Sequence, residues 1–253
     1  MRPRTAVVPE LLKRVGAKAF GFGELWYDRA RGRKRVHMLH IGKTGGTALK
    51  SALRNASPAH TRLVLHKHSV SLAEIPVGEL CFFVVRDPVT RFVSGFLSRQ
   101  RQGRPRYDIP WNPAEEKAFA TFATPNDLAL ALSSTDPARR SAAEAAMAGI
   151  RHVSDNYRHW LRSEAYLRQR RSDILFVGSQ ERLREDVRLL SGLLDAMIVL
   201  PTDAVAAHRN PANVHRDLDA TSVENLKNWY SADYVFLRLL REWFPHLPDY
   251  EAA

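Results

Sequence analysis

The chain has 253 residues, 45% of them hydrophobic, which is enough apolar content to bury one substantial core in a single domain. It has no apolar run near the roughly 20 residues that span a bilayer, no signal-peptide stretch near its start, and one cysteine, Cys81, which excludes an internal disulfide bond. The net charge of +11 predicts anionic ligands or partners without identifying them.

Four apolar segments separated by helix-compatible sequence determine the predicted architecture. Residues 1–35 are predicted to be a basic lead-in with a short helix near 10–15, and residues 36–253 to form one domain. The predicted strands lie near 36–41, 62–66, 80–85 and 174–177. Because helical segments connect them, we expect an α/β fold: a P-loop-like, mostly parallel sheet with right-handed crossovers, flanked by helices.

A glycine-rich loop follows the first strand directly and leads into a helical segment. Glycines let backbone N–H groups face inward, a helix N-terminus favours negative charge, and Lys43 adds a positive charge. The loop therefore predicts a phosphate cradle made by Lys43, Thr44, Gly45, Gly46 and Thr47. The alternative is an ordinary strand-to-helix turn with a solvated lysine.

The loop also ends like the P-loop of ATP- and GTP-binding proteins, which is the main rival interpretation. That pattern requires a glycine five residues before its Gly-Lys-Thr, and His37 stands there. The loop is thus shorter than a nucleotide-triphosphate loop, and it suits one phosphate group better than a triphosphate tail.

Two histidines follow in the segment 62–68, which alternates like a strand and so predicts His66 and His68 on one face. A neutral imidazole can accept a proton near pH 7. Two alternatives stay open: a structural pair, or a metal site, for which no further ligand stands at suitable spacing. If neither histidine is a base, a carboxylate such as Glu115 or Glu116 is the next candidate.

The strand near 80–85 ends at a second phosphate-binding pattern. Asp87 is predicted to cap the next helix and Pro88 to be its first residue. The helix has an apolar stripe and a polar face, the latter formed by Asp87, Arg91, Ser94 and Ser98. Arg86 can make a two-pronged contact with a phosphate to which Ser94 donates its hydroxyl. Alternatively, Arg86 pairs with a carboxylate and Ser94 is simply exposed.

The rest of the chain supplies packing and charge. Residues from about 112 to 150 are predicted to be a helical insertion interrupted at Pro125 and Pro137, and Thr221 to Glu224 reads as a capping box. Basic clusters occur near 29–35, 99–106 and 158–171. The second of these either lines an acceptor cleft or is solvated surface. No nucleic-acid-binding module appears, so a nucleic acid is not an expected partner.

Together the two phosphate patterns resemble those of sulfotransferases that use 3'-phosphoadenosine 5'-phosphosulfate (PAPS). HIGKTGGT at 40–47 is similar to their 5'-phosphosulfate loop, and RDPVTRFVS at 86–94 to their 3'-phosphate element. Order and spacing resemble the carbohydrate branch, including hexuronyl 2-O-sulfotransferases and bacterial relatives. The resemblance covers roughly residues 36–242. Gly42 departs from it, since the family usually has proline there.

The resemblance implies a set of functional residues. Lys43 and the loop to Thr47 would hold the phosphosulfate, and Arg86 and Ser94 the 3'-phosphate, with no metal required. His66 and His68 match the segment that supplies the catalytic base. A late loop that the family brings over the nucleotide makes Arg209 and Asn210 further cofactor-binding candidates.

The resemblance also implies a partner and a location. The expected acceptor is a hydroxyl of a carbohydrate or glycolipid, which can be anionic, and peripheral contact with a membrane stays open. Golgi members of the family are membrane-anchored, and without an anchor we expect a cytoplasmic enzyme. The alternatives are a nucleotide-dependent kinase of P-loop type and a non-catalytic polyanion-binding protein.

Overall fold

A computed structural model describes residues 32–202 and 217–251 of the chain. Four strands within these residues form one sheet: β1 (Lys34–Met38), β2 (Thr61–Leu65), β3 (Leu80–Val85) and β4 (Ile174–Ser179). Their order in the sheet is β2-β1-β3-β4, and every neighbouring pair is parallel. The predicted parallel α/β architecture is therefore confirmed.

Ten α-helices lie in the described residues. They are α1 (Gly46–Arg54), α2 (Pro88–Gln100), α3 (Pro113–Thr121), α4 (Pro125–Ala131), α5 (Pro137–Gly149), α6 (Tyr157–Leu161), α7 (Glu164–Gln169), α8 (Leu183–Leu194), α9 (Ala220–Trp229) and α10 (Ser231–Trp243). The predicted helix near 10–15 lies outside the described residues. The domain limits, 1–35 and 36–253, stay a prediction.

The sheet is buried on both faces, as parallel sheets are. One face, with Met38 and Phe82, packs against α1 and α8. The other, with Phe83 and Val85, packs against α6, α7 and α10. Because apolar side chains cover most of both faces, a polar ligand is expected beyond the carboxyl ends of the strands.

After α2, the segment between β3 and β4 contains three more helices that begin with proline, α3, α4 and α5. Each has proline at its first position and a preceding side chain, from Asn112, Thr124 or Asp136, that accepts a backbone N–H. These helices pack with α2 and α9 around a separate apolar cluster that includes Phe96 and Phe122. This second apolar core therefore lies along α2, apart from the core at the sheet.

Two local predictions were wrong. The strand β2 ends at Leu65, so His66 and His68 do not share a strand face. The helix α9 is capped by Asp219, whose side chain accepts the N–H of Ser222, rather than by Thr221. The strand thus ends earlier, and the helix begins earlier, than the sequence suggests.

Arg91 is the largest departure from the predicted helix face. Its side chain is 1% exposed rather than part of a solvated polar face. The guanidinium donates to the carbonyl of Asp155 at 2.6 Å and to the Asp233 carboxylate at 3.2 Å. Its carbon Cζ lies 5.4 Å and 5.7 Å from the ring centroids of Tyr157 and Tyr230. Arg91 thus ties α2 to the chain before α6 and to α10.

We expect Asp233→Ala to lower the free energy of unfolding by about 3–5 kcal/mol, because it leaves the buried guanidinium of Arg91 without its carboxylate. Urea denaturation measures the loss. Asp249→Ala breaks an ion pair with Arg241 that is 2.7 Å long but exposed, so it should cost less than about 1 kcal/mol. Similar losses of unfolding free energy in the two variants would show that the buried ion pair stabilises the fold no more than the exposed one does.

Candidate active site

A cavity of about 600 Å³ opens beyond the carboxyl ends of the strands. The loops after all four strands reach it, with Lys43 after β1, His68 after β2, Arg86 after β3 and Gln180 after β4. Its other lining residues are His40, Gly42, Gly45, Gly46, Thr47, Ser94, Ser98, Arg99, Gly103, Tyr107, Ile109, Arg151 and His152. Parallel α/β sheets bind their ligands in this position.

The loop after β1 forms a tight turn before α1. Lys43 and Gly45 both have left-handed backbones, with φ of 67° and 80°. Thr44 is buried, and its hydroxyl donates to the carbonyl of Ile41 at 2.9 Å, which closes the turn. The first amides of a helix lack intrahelical acceptors, so Gly46 and Thr47 at the start of α1 suit an anion. Of the predicted loop residues, only Thr44 does not line the cavity.

Two glycines of this loop let aromatic side chains pack directly against the backbone. A β-carbon at Gly46 would lie 2.3 Å from Cδ2 of His40, so that imidazole rests directly on the start of α1. A β-carbon at Gly42 would lie 3.3 Å from the Trp160 ring. The glycine that departs from the usual proline therefore lets the indole of α6 approach the loop.

Arg86 is held from several sides. Its backbone N–H donates to the hydroxyl of Tyr157 at 2.8 Å, and that hydroxyl donates to its carbonyl at 2.6 Å. Its guanidinium donates to the Lys43 carbonyl at 3.2 Å and to the Thr90 hydroxyl at 2.9 Å. No carboxylate of the described residues forms an ion pair with it. Arg86 and Ser94 thus line the same cavity as the glycine loop.

Positive charge is concentrated at this cavity. Burial, together with the charges of Arg101, Arg86 and Arg99, lowers the pKa of Lys43 to about 7. Glu115, which is fully buried, offsets part of this charge by binding Arg99 at 2.7 and 2.8 Å. Burial opposes its ionisation, but hydrogen bonds from Arg99 and Arg151 outweigh burial and hold its pKa at about 2. The cavity therefore favours anions.

This arrangement also bears on the alternative bases. Glu115 is engaged by two arginines, and neither it nor the exposed Glu116 lines the cavity. A carboxylate with a pKa of about 2 is a weak proton acceptor. The helical insertion thus contributes structure and charge balance to the site.

The predicted histidine pair is separated. His68 lines the cavity, whereas His66 does not. The Nε2 atom of His66 is 2.8 Å from Nδ1 of His37, and His37 in turn is hydrogen-bonded to Glu79. His37, which stands where a nucleotide-triphosphate loop has glycine, is thus a buried strand residue in a polar chain behind the cavity.

Two other histidines of the cavity, His40 and His152, were missed by the sequence interpretation. Their rings meet that of His68 edge-on, with centroids 6.0 Å and 5.9 Å away. His40 directly precedes the glycine loop, so its position offered a signal. His152 follows a helix with no motif around it, and nothing in the sequence indicated its location.

Some predicted features lie beyond what the structure describes. Arg209 and Asn210 fall in the range 203–216, outside the described residues. Within the described residues, no group of three or more His, Cys, Asp or Glu side chains is placed to hold a metal ion. No helix in the same part of the chain has the length and apolar content to cross a membrane.

A parallel sheet with an anion-binding glycine loop after β1 places the chain in the P-loop-like class of α/β proteins. The chain matches the model of the sulfotransferase family over residues 30–239, and it belongs to that family. No curated protein matches it significantly. Family membership identifies a transferase that moves sulfuryl groups, as the two phosphate patterns predicted.

Proposed function

We propose that this sulfotransferase uses PAPS as donor and transfers its sulfuryl group to a hydroxyl of a carbohydrate or glycolipid. The observation that carries the proposal is that the glycine loop with Lys43 and the pair Arg86 and Ser94 line one cavity. PAPS has phosphate groups at two positions of one nucleoside, and two anion-binding groups in one cavity match them.

The residues present fit PAPS. The amides at the start of α1 and Lys43 would hold the 5'-phosphosulfate, and Arg86 and Ser94 the 3'-phosphate. Because Lys43 shares its surroundings with three arginine charges, an anion would relieve their repulsion. Arg209 and Asn210 remain proposed as further contacts from the late loop. The chemistry that PAPS supplies is a sulfuryl group on a phosphate leaving group.

The protein's part in the reaction is positioning and charge. Lys43 and the helix start stabilise negative charge as it develops on the leaving oxygen, a contribution that counts most in the transition state. A histidine of the cavity takes the acceptor proton, and His68 is the predicted one that lies there. His66 supports the segment from behind through His37.

The outer part of the cavity supports a sugar-like, anionic acceptor. Tyr107 and Ile109 line it and are 47% and 43% exposed. Apolar side chains of this kind can cover the face of a sugar ring, while Arg151 on the same wall attracts acidic groups. A cytoplasmic location is part of the proposal, supported by the single cysteine, Cys81, which is buried in β3.

A calorimetric comparison of two ligands tests the donor. We expect 3',5'-adenosine bisphosphate (PAP) to bind at least tenfold more tightly than ATP with magnesium, because only PAP carries the 3'-phosphate. Tighter binding of ATP with magnesium would support the kinase alternative. Binding of heparin without binding of PAP would support a polyanion-binding protein.

The pH dependence of PAP binding should follow Lys43. Because the pKa of Lys43 is near 7, the lysine of the free protein is mostly neutral above that pH and must take up a proton when PAP binds. The affinity for PAP should therefore fall by up to about tenfold per pH unit between 7.5 and 9. PAP itself does not change charge there, since its phosphates titrate near 6. Calorimetry in buffers of different ionisation enthalpy measures the uptake. A PAP affinity that is constant over this range would contradict the role given to Lys43. The same proton uptake in the Lys43→Met variant would also contradict it.

A further inference from the structure

The backbone of His152, another histidine of the cavity, is held more firmly than that of His68. His152 lies just after α5 and has a left-handed backbone with φ of 69°. A β-carbon at Gly95 would lie 3.2 Å from the His152 carbonyl, so this turn rests on α2 where the helix has no side chain. The hydroxyl of Tyr230 donates to the next carbonyl, of Val153, at 2.7 Å. A strained backbone held this firmly is typical of functional sites.

Asp155 gives this imidazole an orienting carboxylate. Its Oδ2 atom lies 3.7 Å from Nδ1 of His152, and that nitrogen is buried without a hydrogen-bond partner among the described residues. The backbone carbonyl of Asp155 accepts from buried Arg91 at 2.6 Å, which holds the backbone that carries this carboxylate. The negative charge near Nδ1 favours the tautomer that carries its proton on that nitrogen, which leaves Nε2 as the acceptor.

The surroundings of His152 favour its neutral form. Burial lowers the pKa of its imidazole, Asp155 opposes that effect, and Lys43 and His68 add to it. His40 also faces this cluster, and its own pKa is lowered to about 4, chiefly by burial. A neutral imidazole near pH 7 is able to accept a proton.

His68 lacks such support. Its side chain is exposed, and no described side chain hydrogen-bonds to its ring. The contact that holds this residue is made by its backbone carbonyl, which accepts from Nε1 of Trp160 at 2.7 Å. Its ring meets two neighbours edge-on, and no group in the described part of the chain selects its tautomer.

We propose that His152 removes the acceptor's proton and that Asp155 is its positioning residue; this inference rests on the proposed function. In the step, the acceptor oxygen bonds to sulfur while the bond from sulfur to the bridging phosphate oxygen breaks. That oxygen keeps the electron pair, which leaves PAP, and the hydroxyl proton moves to Nε2 of His152. His68 then borders the acceptor without taking its proton.

Turnover of PAPS with water as acceptor, followed by PAP release, is the first test. We expect His152→Gln to slow it about 10²–10⁴-fold and to leave PAP affinity within about twofold. His68→Gln should slow it less than about tenfold. His60→Gln, which changes an exposed histidine outside the cavity, is the control. A larger loss in His68→Gln than in His152→Gln would overturn the proposal.

The imidazole tautomer is a second test that needs no turnover. We expect nitrogen-15 NMR at pH 7 to show the proton of His152 on Nδ1, and Asp155→Asn to change that distribution and shift the pH profile of PAPS turnover. A proton on Nε2, or a tautomer unaffected by Asp155→Asn, would refute the positioning role. Failure of the wild-type protein to bind PAP would instead refute the proposed function, so the two failures are distinguishable.

Discussion

Replacing Lys43 by alanine is expected to lower sulfuryl transfer at least about 10³-fold, because the ammonium lies where charge develops on the leaving oxygen. The measurement is release of PAP from PAPS at saturating donor. Lys34→Ala removes an exposed lysine at the start of β1, far along the strand from the cavity, and should leave the rate within about twofold.

A fold-stability measurement separates loss of chemistry from loss of structure. The folded protein lowers the pKa of Lys43, so the charged form is disfavoured on folding, and this penalty is fully present below pH 7. Lys43→Met should therefore raise the unfolding temperature at pH 6 while it abolishes transfer. A variant that unfolds more easily, or that keeps near-parental turnover, would show that Lys43 has a different role.

Replacing Arg86 by alanine is expected to weaken PAP binding by about 10- to 150-fold, which corresponds to about 1.5–3 kcal/mol for a charge-assisted contact. Binding of AMP should change little, because AMP lacks the 3'-phosphate assigned to Arg86. Calorimetry with both nucleotides measures the difference.

AMP also serves as the internal control for the loop. Arg86 donates to the Lys43 carbonyl, so a variant that disturbed the glycine loop would lose affinity for both nucleotides. Ser94→Ala keeps this contact and should weaken PAP binding in the same selective direction by a smaller factor. Equal loss for PAP and AMP in both variants would show that the 3'-phosphate is bound elsewhere.

The strands and the two phosphate patterns could be predicted because their signals are local. The strand β3 is a short apolar run between Gly78 and Pro88, and Asp87 caps α2 through the N–H of Thr90, as its position before Pro88 indicated. Strand order and cavity position then follow from the rules for parallel sheets. Lys43 and Arg86 reach one cavity because both lie in loops that follow the carboxyl ends of neighbouring strands.

The errors arose where long-range contacts determine the outcome. Arg91 has the helical spacing of a polar face, but its partner Asp233 is 142 residues away and draws it into the core. The two-residue spacing of His66 and His68 implied one face, but the chain leaves the sheet after β2 and turns their rings in different directions. His152 reaches the site through packing on Gly95, which no motif records.

The crowding of positive charge around Lys43 has a consequence for the speed of the catalytic cycle. Under the proposed function, PAP keeps both phosphate positions after transfer, so it retains its contacts with the glycine loop and with Arg86. The attraction that gathers the donor then also holds the spent nucleotide. Product release, rather than chemistry, would set the steady-state rate, and added PAP would compete with PAPS at low concentration.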